Sequence, residues 1–261
     1  MEWYHYLIAI VGGGIAGVIN TLAGNGSAIT LTILTEVLGL PPNVANGTNR
    51  VGICSQSLVG SWVFYKNGKL DLERSWVYGI PTIIGAVFGV LMAVWVSNEQ
   101  FKQVFSFMLV AMFLVILVKP KRWLRETDLT IKRNYFLIIP AFLAIGFYGG
   151  FIQMGMGIFF LAVMVLGARH SMTDANAVKS FVIMAYTIVV IAIFQWKGLI
   201  DWKMGALMAV GQTTGGWWAA NFASRYEQAN LWAYRLLVVI VIVAIIKLFN
   251  VHELILSGVL N

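Results

Sequence analysis

The chain has 261 residues, of which 59% are hydrophobic and only 11% are charged, and its formal net charge is +7. A soluble domain carries about 25% charged residues, so this composition excludes a soluble globular protein and predicts an all-α polytopic membrane protein. The single cysteine, Cys54, excludes an internal disulfide and argues against Cys-based metal or redox chemistry.

A turn interrupts the first apolar segment, which extends over residues 6–40. Residues 24–27 read Gly-Asn-Gly-Ser, a stretch that breaks a helix and carries polar groups. Backbone groups inside a bilayer need internal partners, so we expect this break to line a polar cavity; a plain interfacial loop is the alternative. The helix that restarts there, with Ser27 as its predicted N-cap, would direct free N–H groups at an anion. Asn25 and Ser27 are therefore candidate ligands.

The helix after this break carries polar and charged side chains in an apolar context. In the stretch ANGTNRVGICSQS, residues 45–57, the spacing of Asn46, Asn49 and Arg50 puts them on one helical face. A charged residue at the centre of a membrane helix costs about 2.5–3.5 kcal/mol and is a functional candidate by default. A cation that snorkels from near a helix end is the alternative.

A basic loop separates two apolar halves of the chain. Residues 119–133, KPKRWLRETDLTIKR, include six Lys or Arg. Positive residues mark the cytoplasmic side of a membrane, so we expect this loop to be cytoplasmic and the protein to cross the cell (inner) membrane several times. A loop that sets topology explains this charge, and nucleic-acid binding is not needed.

The second half repeats the pattern of the first. A Gly-Met-Gly break at residues 155–157 follows Gln153, which is a further candidate ligand. The next helix, in the stretch 174–186 with Asp174 as its predicted N-cap, carries Asn176, Lys179 and Ser180 on one face.

An internal duplication is indicated by residues that recur at one constant offset along the chain. They are Ala45-Asn46 as Ala175-Asn176, Gly68 as Gly198, Asp71 as Asp201 and Gly85 as Gly215. We interpret residues 1–118 and 134–261 as two transmembrane repeats joined by the linker 119–133. Each repeat starts with a broken helix, and three spanning helices follow. Charge counting leaves parallel and inverted repeats open; paired broken helices favour inversion, with a site near the midplane.

Two cations and two helix breaks, with no carboxylate in the predicted spans, indicate a site for a small anion. We expect the breaks to face one shared cavity and Arg50 and Lys179 to be unpaired there, so that their removal leaves stability unchanged or raised. The stretch GGGIAG, residues 12–17, fits a dinucleotide motif but follows no strand; small residues there favour close helix packing.

Several function classes follow from these features. A secondary carrier is favoured and an anion channel is the alternative, whereas an enzyme would need a nucleophile–base pair or a metal cluster. No cofactor is expected. The partners are a small anionic substrate and the lipid bilayer, and a coupling proton or ion and a homo-oligomer stay open.

The sequence resembles a known family. ANGTNRVGI is similar to the A-x-G-T-N-[KR] signature after the first broken helix of the sulfite exporter TauE/SafE family, also called the toluene-sulfonate uptake permease family. NAVKSF, KNGKLDLER and WKGLIDWKMG are similar to its other repeated elements, and the resemblance covers about residues 10–247. It implies a multi-pass exporter of a small sulfur-containing or organic anion such as sulfite, sulfonate or sulfoacetate. The family's motif positions correspond here to Asn46, Thr48, Asn49, Arg50 and Lys179.

Overall fold

The structure is a computed structural model, and it describes residues 3–95, 123–127, 134–226 and 228–248. Within these residues the chain forms nine α-helices and no strand, which confirms the predicted all-α class. The end of the first predicted repeat, residues 96–118, and the linker 119–133, except for residues 123–127, lie outside the described residues.

The helices form two series with matching order. The first comprises α1 (Trp3–Leu22), α2 (Gly26–Thr32, continued by a π-helical turn Ile33–Val37), α3 (Pro42–Lys66) and α4 (Leu72–Ala93). The second comprises α5 (Tyr135–Phe151), α6 (Met156–Ala162, continued by a π-helical turn Val163–Gly167), α7 (Met172–Trp196) and α8 (Trp202–Arg225), and α9 (Ala229–Leu248) follows. The starts of α2, α3 and α4 recur as the starts of α6, α7 and α8, at the same offset as the recurring residues of the sequence.

Local sequence explains where the long helices begin and end. The α3 helix begins at Pro42, whose missing N–H is tolerated in the first turn. The α4 and α8 helices begin after Asp71 and Asp201, whose carboxylates accept hydrogen bonds from the first-turn N–H groups of Arg74 and Met204. Just after α3 and α7, Gly68 and Gly198 adopt positive φ, which ends each helix without strain.

Two predicted N-caps are wrong by one turn or less. The α2 helix begins at Gly26, so Asn25 is its N-cap and Ser27 lies inside the first turn. The α7 helix begins at Met172, and its N-cap is Ser171, whose hydroxyl accepts a hydrogen bond from the Asp174 N–H at 3.1 Å. The shorter side chain reaches the free N–H group at the helix start, and Asp174 sits three positions on, where an acidic side chain complements the helix dipole.

Each break turns the chain back along the helix that precedes it. A Cβ placed on Gly26, at the start of α2, would lie 2.0 Å from the carbonyl oxygen of Ala16, and one on Gly12 would lie 2.3 Å from Ile33. The α2 helix therefore runs antiparallel to α1. In the second series, Phe160 of α6 packs on Phe142 of α5 with ring centroids 4.9 Å apart. Both broken segments are helical hairpins whose tips are the Gly-containing turns.

Helices α3 and α7 pack against each other in opposite directions. The hydroxyl of Thr48, near the start of α3, accepts a hydrogen bond from the Asp201 N–H just after α7, at 2.9 Å. Farther along α3, a Cβ on Gly60 would lie 3.5 Å from the hydroxyl of Ser180, which is near the start of α7. The start of one helix therefore lies beside the end of the other.

Close helix pairs connect the two series. The α1 helix packs on α8, and α4 packs on α5. Added Cβ atoms on Gly85 and Gly89 would lie 2.0 and 1.9 Å from carbonyl oxygens of α5, and those on Gly146 and Gly150 would lie 2.1 Å from carbonyl oxygens of α4. Glycine lets these backbones touch, as small residues do in membrane helix pairs. In the same way, a Cβ added on Gly211 or Gly215 would lie 2.0 Å from a carbonyl oxygen of α1, that of Ile10 or Gly14 respectively.

The surface and the helix lengths fit a bilayer. Within the described residues, three helices are long and apolar enough to cross a membrane, namely α1, α4 and α7. The α3 and α8 helices have 25 and 24 residues, but they carry polar groups on their buried faces. Large apolar side chains point outward instead, among them Phe88, Phe136 and Ile188. This inverted distribution of polarity is what a lipid-embedded protein requires.

Candidate functional site

The two Gly-containing breaks meet inside the protein. A Cβ on Gly24 would lie 2.5 Å from the carbonyl carbon of Gly157, so the tips of the two hairpins are in backbone contact. Gly24 and Gly155 have φ of +83° and +75°, a region that glycine enters without strain, and Gln153 has φ of +62°. The two breaks meet, as a shared cavity would require, but Gly24 and Gly157 leave no room for a ligand between them in this conformation, so the shared cavity itself stays a prediction.

Arg50 and Asn46, both on α3, hold the end of α5. The Arg50 guanidinium donates hydrogen bonds to the carbonyl oxygens of Gly149 at 2.6 Å and Gly150 at 3.1 Å. The Asn46 amide donates to the carbonyl oxygen of Phe151 at 3.2 Å, and its oxygen accepts from Arg50. The last carbonyls of a helix have no partners within the helix and carry its negative dipole end. These two side chains satisfy both needs.

Lys179 and Asn176, both on α7, hold the end of α1 in the same way. The Lys179 ammonium donates to the carbonyl oxygens of Asn20 and Thr21, each at 2.9 Å, and to the side-chain oxygen of Asn176 at 2.6 Å. The Asn176 amide donates to the carbonyl oxygen of Leu22 at 3.1 Å. Each series of helices therefore supplies a cation and an asparagine that cap the first helix of the other series.

Each hairpin tip is also held by a side chain from the same series of helices. Gln56 of α3 donates to the Thr21 hydroxyl at 3.0 Å and accepts from the Asn20 amide at 3.4 Å. Tyr186 of α7, which is the repeat equivalent of Gln56, donates to the side-chain oxygen of Gln153 at 2.9 Å, and Arg50 donates to the same oxygen. Each tip is thus fixed from both sides.

The expectation that Arg50 and Lys179 are unpaired cations is wrong. Both are fully buried, and their charge is compensated by helix-end carbonyls and amide oxygens instead of carboxylates. Removing either side chain would leave several buried carbonyls without donors. We therefore expect its removal to lower the stability of the protein, and not to leave stability unchanged or raise it. The snorkelling alternative is also excluded for these residues, because neither head group reaches the surface.

Several polar atoms at the breaks nevertheless lack partners. Both side-chain polar atoms of Asn25, the amide nitrogen Nδ2 of Asn49 and the Nε of Arg50 find no hydrogen-bond partner among the residues that the structure describes. All three side chains are at most 1% exposed. An unsatisfied buried polar group costs about 1–3 kcal/mol, so three of them in adjoining elements require an explanation.

Asn49 belongs to a polar layer between α2, α3 and α8. Its side-chain oxygen accepts hydrogen bonds from the Thr30 hydroxyl at 2.7 Å and from the Gln212 amide at 3.4 Å. All three side chains are buried. Asn49 thus faces a different set of partners from Asn46 and Arg50, although the helical spacing predicted one shared face.

The remaining predicted residues have defined positions. The Ser180 hydroxyl donates to the carbonyl oxygen of Asn176 one turn earlier, and the Thr48 hydroxyl binds the Asp201 N–H at the start of α8, away from the hairpin tips. Ser27 is buried in the first turn of α2, and its carbonyl oxygen accepts from Thr30.

Sequence reasoning missed Thr30 and Gln212, which form hydrogen bonds with Asn49. Gln56 and Tyr186 continue the two predicted polar faces at equivalent positions of the two predicted repeats, but they were not counted among the ligands. In the structure both form hydrogen bonds with the hairpin tips. Gln212 carries no such signal, since only the packing of α8 on α3 brings it to Asn49.

Comparisons with known proteins identify the family of this chain. Residues 9–248 match the family model of the sulfite exporter TauE/SafE. The chain is 30% identical over 224 residues to "Probable membrane transporter protein ORF9" from Sinorhizobium sp, covering 83% of this chain and 80% of that protein. It is 29% identical over 206 residues to "Probable membrane transporter protein" from Haemophilus influenzae, covering 78% and 79%. A further relative, "Probable membrane transporter protein YdhB" from Bacillus subtilis, is 23% identical over 222 residues, covering 79% and 85%.

No solved structure matches the chain. The family match extends from α1 into α9 and contains both hairpins, α3 and α7. The resemblance indicated by the motif after the first break is confirmed, and the chain belongs to the sulfite exporter TauE/SafE family of membrane transporters.

Proposed function

We propose that this protein is a secondary transporter that exports a small sulfur-containing or organic anion, such as sulfite, a sulfonate or sulfoacetate. The observation that supports this most directly is a set of buried polar atoms, on Asn25 at the first hairpin tip and on Asn49 and Arg50 of α3, that have no hydrogen-bond partner among the described residues. Three of the four atoms, on Asn25, Asn49 and Arg50, are N–H donors. An oxyanion supplies the acceptors that such donors need, and hydrogen bonds to a charged group are the stronger kind.

The proposed ligands divide into two groups by their present partners. Asn25, Asn49 and Arg50 have donors available and would contact the substrate. The other cation and the remaining amides of the breaks, Asn46, Gln153, Asn176 and Lys179, already bind backbone or one another and would set the position of the tips. Ser27, Thr48 and Ser180 would support the local backbone around them.

The repeats are proposed to be inverted, as residues 1–118 and 134–261 joined by 119–133. The opposite directions of α3 and α7 support this, as do two hairpins whose tips meet in the middle. Hairpins that enter from opposite sides of the membrane give each side its own movable element. Rocking of one repeat against the other would then expose the site alternately, which is how inverted-repeat carriers work.

The same arrangement supports an orientation. Inversion puts the loop between α3 and α4, the basic linker and the end of α8 on one side, and that side holds the excess of Lys and Arg. The positive-inside rule makes it cytoplasmic in a cell (inner) membrane. Export then runs from this side to the side that carries the loop between α7 and α8.

Counterflow of labelled sulfite in liposomes tests the function. Purified protein in vesicles preloaded with unlabelled sulfite should take up external labelled sulfite transiently above equilibrium, without net current. Asn49→Leu, which is close in size but has no donor, should strongly reduce uptake at low sulfite concentration. Thr214→Val, whose hydroxyl only bonds its own helix on an exposed face, is the matched control and should transport normally. A steady sulfite current without counterflow would replace the carrier by an anion channel, and absence of both would contradict anion transport.

A further inference from the structure

We infer that Thr30 and Gln212 are positioning residues that hold the Asn49 side-chain amide with its NH2 group directed at the substrate, so that the polar layer Thr30–Asn49–Gln212 sets the affinity for the anion. This inference rests on the proposed function. It adds two residues, one from each half of the chain, to a site defined so far by the hairpin tips.

Hydrogen bonding fixes the orientation of the Asn49 amide. A carboxamide accepts through its oxygen and donates through its nitrogen, and the two ends differ by half a turn. The Thr30 hydroxyl and the Gln212 amide both direct a donor at the oxygen, at 2.7 and 3.4 Å, and the single hydroxyl proton of Thr30 is shared with the Ser27 carbonyl oxygen at 3.1 Å. The nitrogen must then point away from both, and it has no partner among the described residues. With the Gln212 amide oriented as it is in the structure, reversing Asn49 alone would bring the NH2 groups of the two side chains together, donor against donor.

The position of Gln212 is itself prepared by glycines. A Cβ on Gly52 of α3 would lie 2.4 Å from the Gln212 side-chain nitrogen, and a Cβ on Gly17 of α1 would lie 2.3 Å from the Gln212 carbonyl oxygen. Any larger residue at either place would displace the amide or its backbone. Gln212 is therefore held in a slot that only glycines on two neighbouring helices leave open.

The polar layer has no counterpart in the second half. The repeat equivalents of Thr30 and Asn49 are Phe160 and Lys179, and the repeat equivalent of Gln212 in the first half is Thr82. Phe160 packs on Phe142, Lys179 holds the end of α1, and the Thr82 hydroxyl donates to the carbonyl oxygen of Tyr78 in its own helix. The two hairpins are held alike, but among the described residues the buried side-chain N–H donors without a partner all lie in the first half. The anion is therefore recognised from one side.

The test is sulfite transport by full-length protein in proteoliposomes, with KM and Vmax measured separately. Thr30→Val and Gln212→Met keep side-chain size and remove the hydrogen bond to Asn49. Each should raise KM about tenfold, since one net hydrogen bond corresponds to about that factor in affinity, while Vmax changes little. Thr30→Ser keeps the hydroxyl and should restore the original KM. Thr82→Val, at the position equivalent to Gln212, is the matched control and should leave KM unchanged.

A double-mutant cycle separates a positioning role from a general structural one. In an Asn49→Ala background, Thr30→Val and Gln212→Met should add no further increase in KM, because they act through Asn49. Full additivity would overturn the inference, as would a normal KM in both single variants. If Gln212→Met does not fold, Gln212→Glu serves instead: it accepts and no longer donates, should turn the Asn49 NH2 inward, and should raise KM by more than tenfold; an unchanged KM there also overturns it.

Failure of the inference and failure of the proposed function have different outcomes. If the unmodified protein transports sulfite and Asn49→Ala impairs it, but neither Thr30→Val nor Gln212→Met does, the function stands and the positioning role is lost. If the unmodified protein neither binds nor transports sulfite, sulfonate or sulfoacetate, both are overturned.

Discussion

Arg50 shows how a buried cation can be stable in a membrane protein without a carboxylate. Its guanidinium meets two carbonyl oxygens at the end of α5 and the side-chain oxygens of Asn46 and Gln153. Several aligned carbonyl dipoles replace the missing counter-ion. Arginine suits this place because its planar fork of donors serves several acceptors at once, whereas lysine offers a compact charge.

Arg50→Ala should therefore destabilise the protein. At least two buried carbonyls would lose their donor, which predicts a loss of about 3 kcal/mol or more in the free energy of unfolding and a fall of roughly 6–12 °C in Tm. Arg50→Lys should lose about half as much, because one ammonium cannot reach all four acceptors. Thermal unfolding in detergent measures both, with Arg74→Ala, an exposed side chain, as the control. An unchanged Tm for Arg50→Ala would show that the carbonyls find other donors.

Replacing Asn25, unlike replacing Arg50, is expected to raise the stability of the protein while it lowers transport. Its amide is buried, and neither polar atom has a partner in the part of the chain that the structure describes. Asn25→Ala removes this desolvation penalty and should stabilise the protein by about 1 kcal/mol, or about 2–4 °C in Tm, while sulfite transport falls strongly. A lower Tm together with normal transport would contradict the proposed role of Asn25.

At the level of helices, glycine positions decide which pairs can approach. Gly211 of α8 and Gly14 of α1 lie in one interface but differ in free space. A Cβ on Gly211 would lie 2.0 Å from the carbonyl oxygen of Ile10, whereas one on Gly14 would lie 3.7 Å from the carbonyl oxygen of Gly211. A methyl group added at Gly211 must therefore push the two helices apart, whereas one added at Gly14 would make an ordinary van der Waals contact.

Gly211→Ala should thus separate α1 from α8 and cost about 1–3 kcal/mol, as overpacking does. Gly14→Ala is the matched control and should be neutral or slightly stabilising, because alanine favours a helix more than glycine does. Tm values in detergent compare the two directly. Equal effects of the two substitutions would mean that the interface yields more easily than the backbone contact implies.

The helical elements were largely predictable, and the reasons are local. Apolar runs predict the spans, and the predicted breaks at 24–26 and 155–157 fall where α2 and α6 begin. The predicted N-caps of α2 and α7, Ser27 and Asp174, each lie within one turn of the observed ones, because several adjacent polar residues can cap a helix and the sequence does not rank them. At the start of α7 the Ser171 hydroxyl accepts from the backbone N–H of Asp174, so Ser171 is the cap and Asp174 lies within the first turn.

The partners of the site residues were much less predictable. Helical spacing groups Asn46, Asn49 and Arg50, but it does not show which element faces them. In the structure, Asn46 and Arg50 face the end of α5, and Asn49 faces α2 and α8. Most of these contacts join residues that are far apart in the chain, and they depend on the way the two halves pack. The sequence placed the two cations near the breaks, but it did not show that helix-end carbonyls are their partners.

At the level of the whole molecule, the proposed inversion of the repeats predicts which side of the membrane each loop faces. Lys69 follows α3, and Lys197 follows α7 at the corresponding end of its helix; both are exposed. In a Cys54→Ser background, cysteines introduced as Lys69→Cys and Lys197→Cys should react with a membrane-impermeant maleimide from opposite sides. By the positive-inside rule, Lys197→Cys should be labelled in intact cells and Lys69→Cys only after permeabilisation.

Labelling of both positions from one side would require parallel repeats and would contradict the opposite directions of α3 and α7. Labelling of Lys69→Cys alone in intact cells would keep the inversion but reverse the orientation, and the proposed direction of export would have to be reassigned.

The exchange of first helices between the two halves has a consequence for how the protein is made. The α1 helix packs on α8, and α4 packs on α5, so each half completes its packing only with helices of the other. During synthesis the first four helices leave the ribosome long before α7 and α8, and until then the end of α1 lacks its lysine. Until the second half is made, the glycine-rich surfaces of α1 and α4 lack their packing partners, and the insertion machinery or lipid must cover them. We therefore expect the two halves to pack together in one late step. A stop codon after the linker should yield a product that is degraded, and not a stable half.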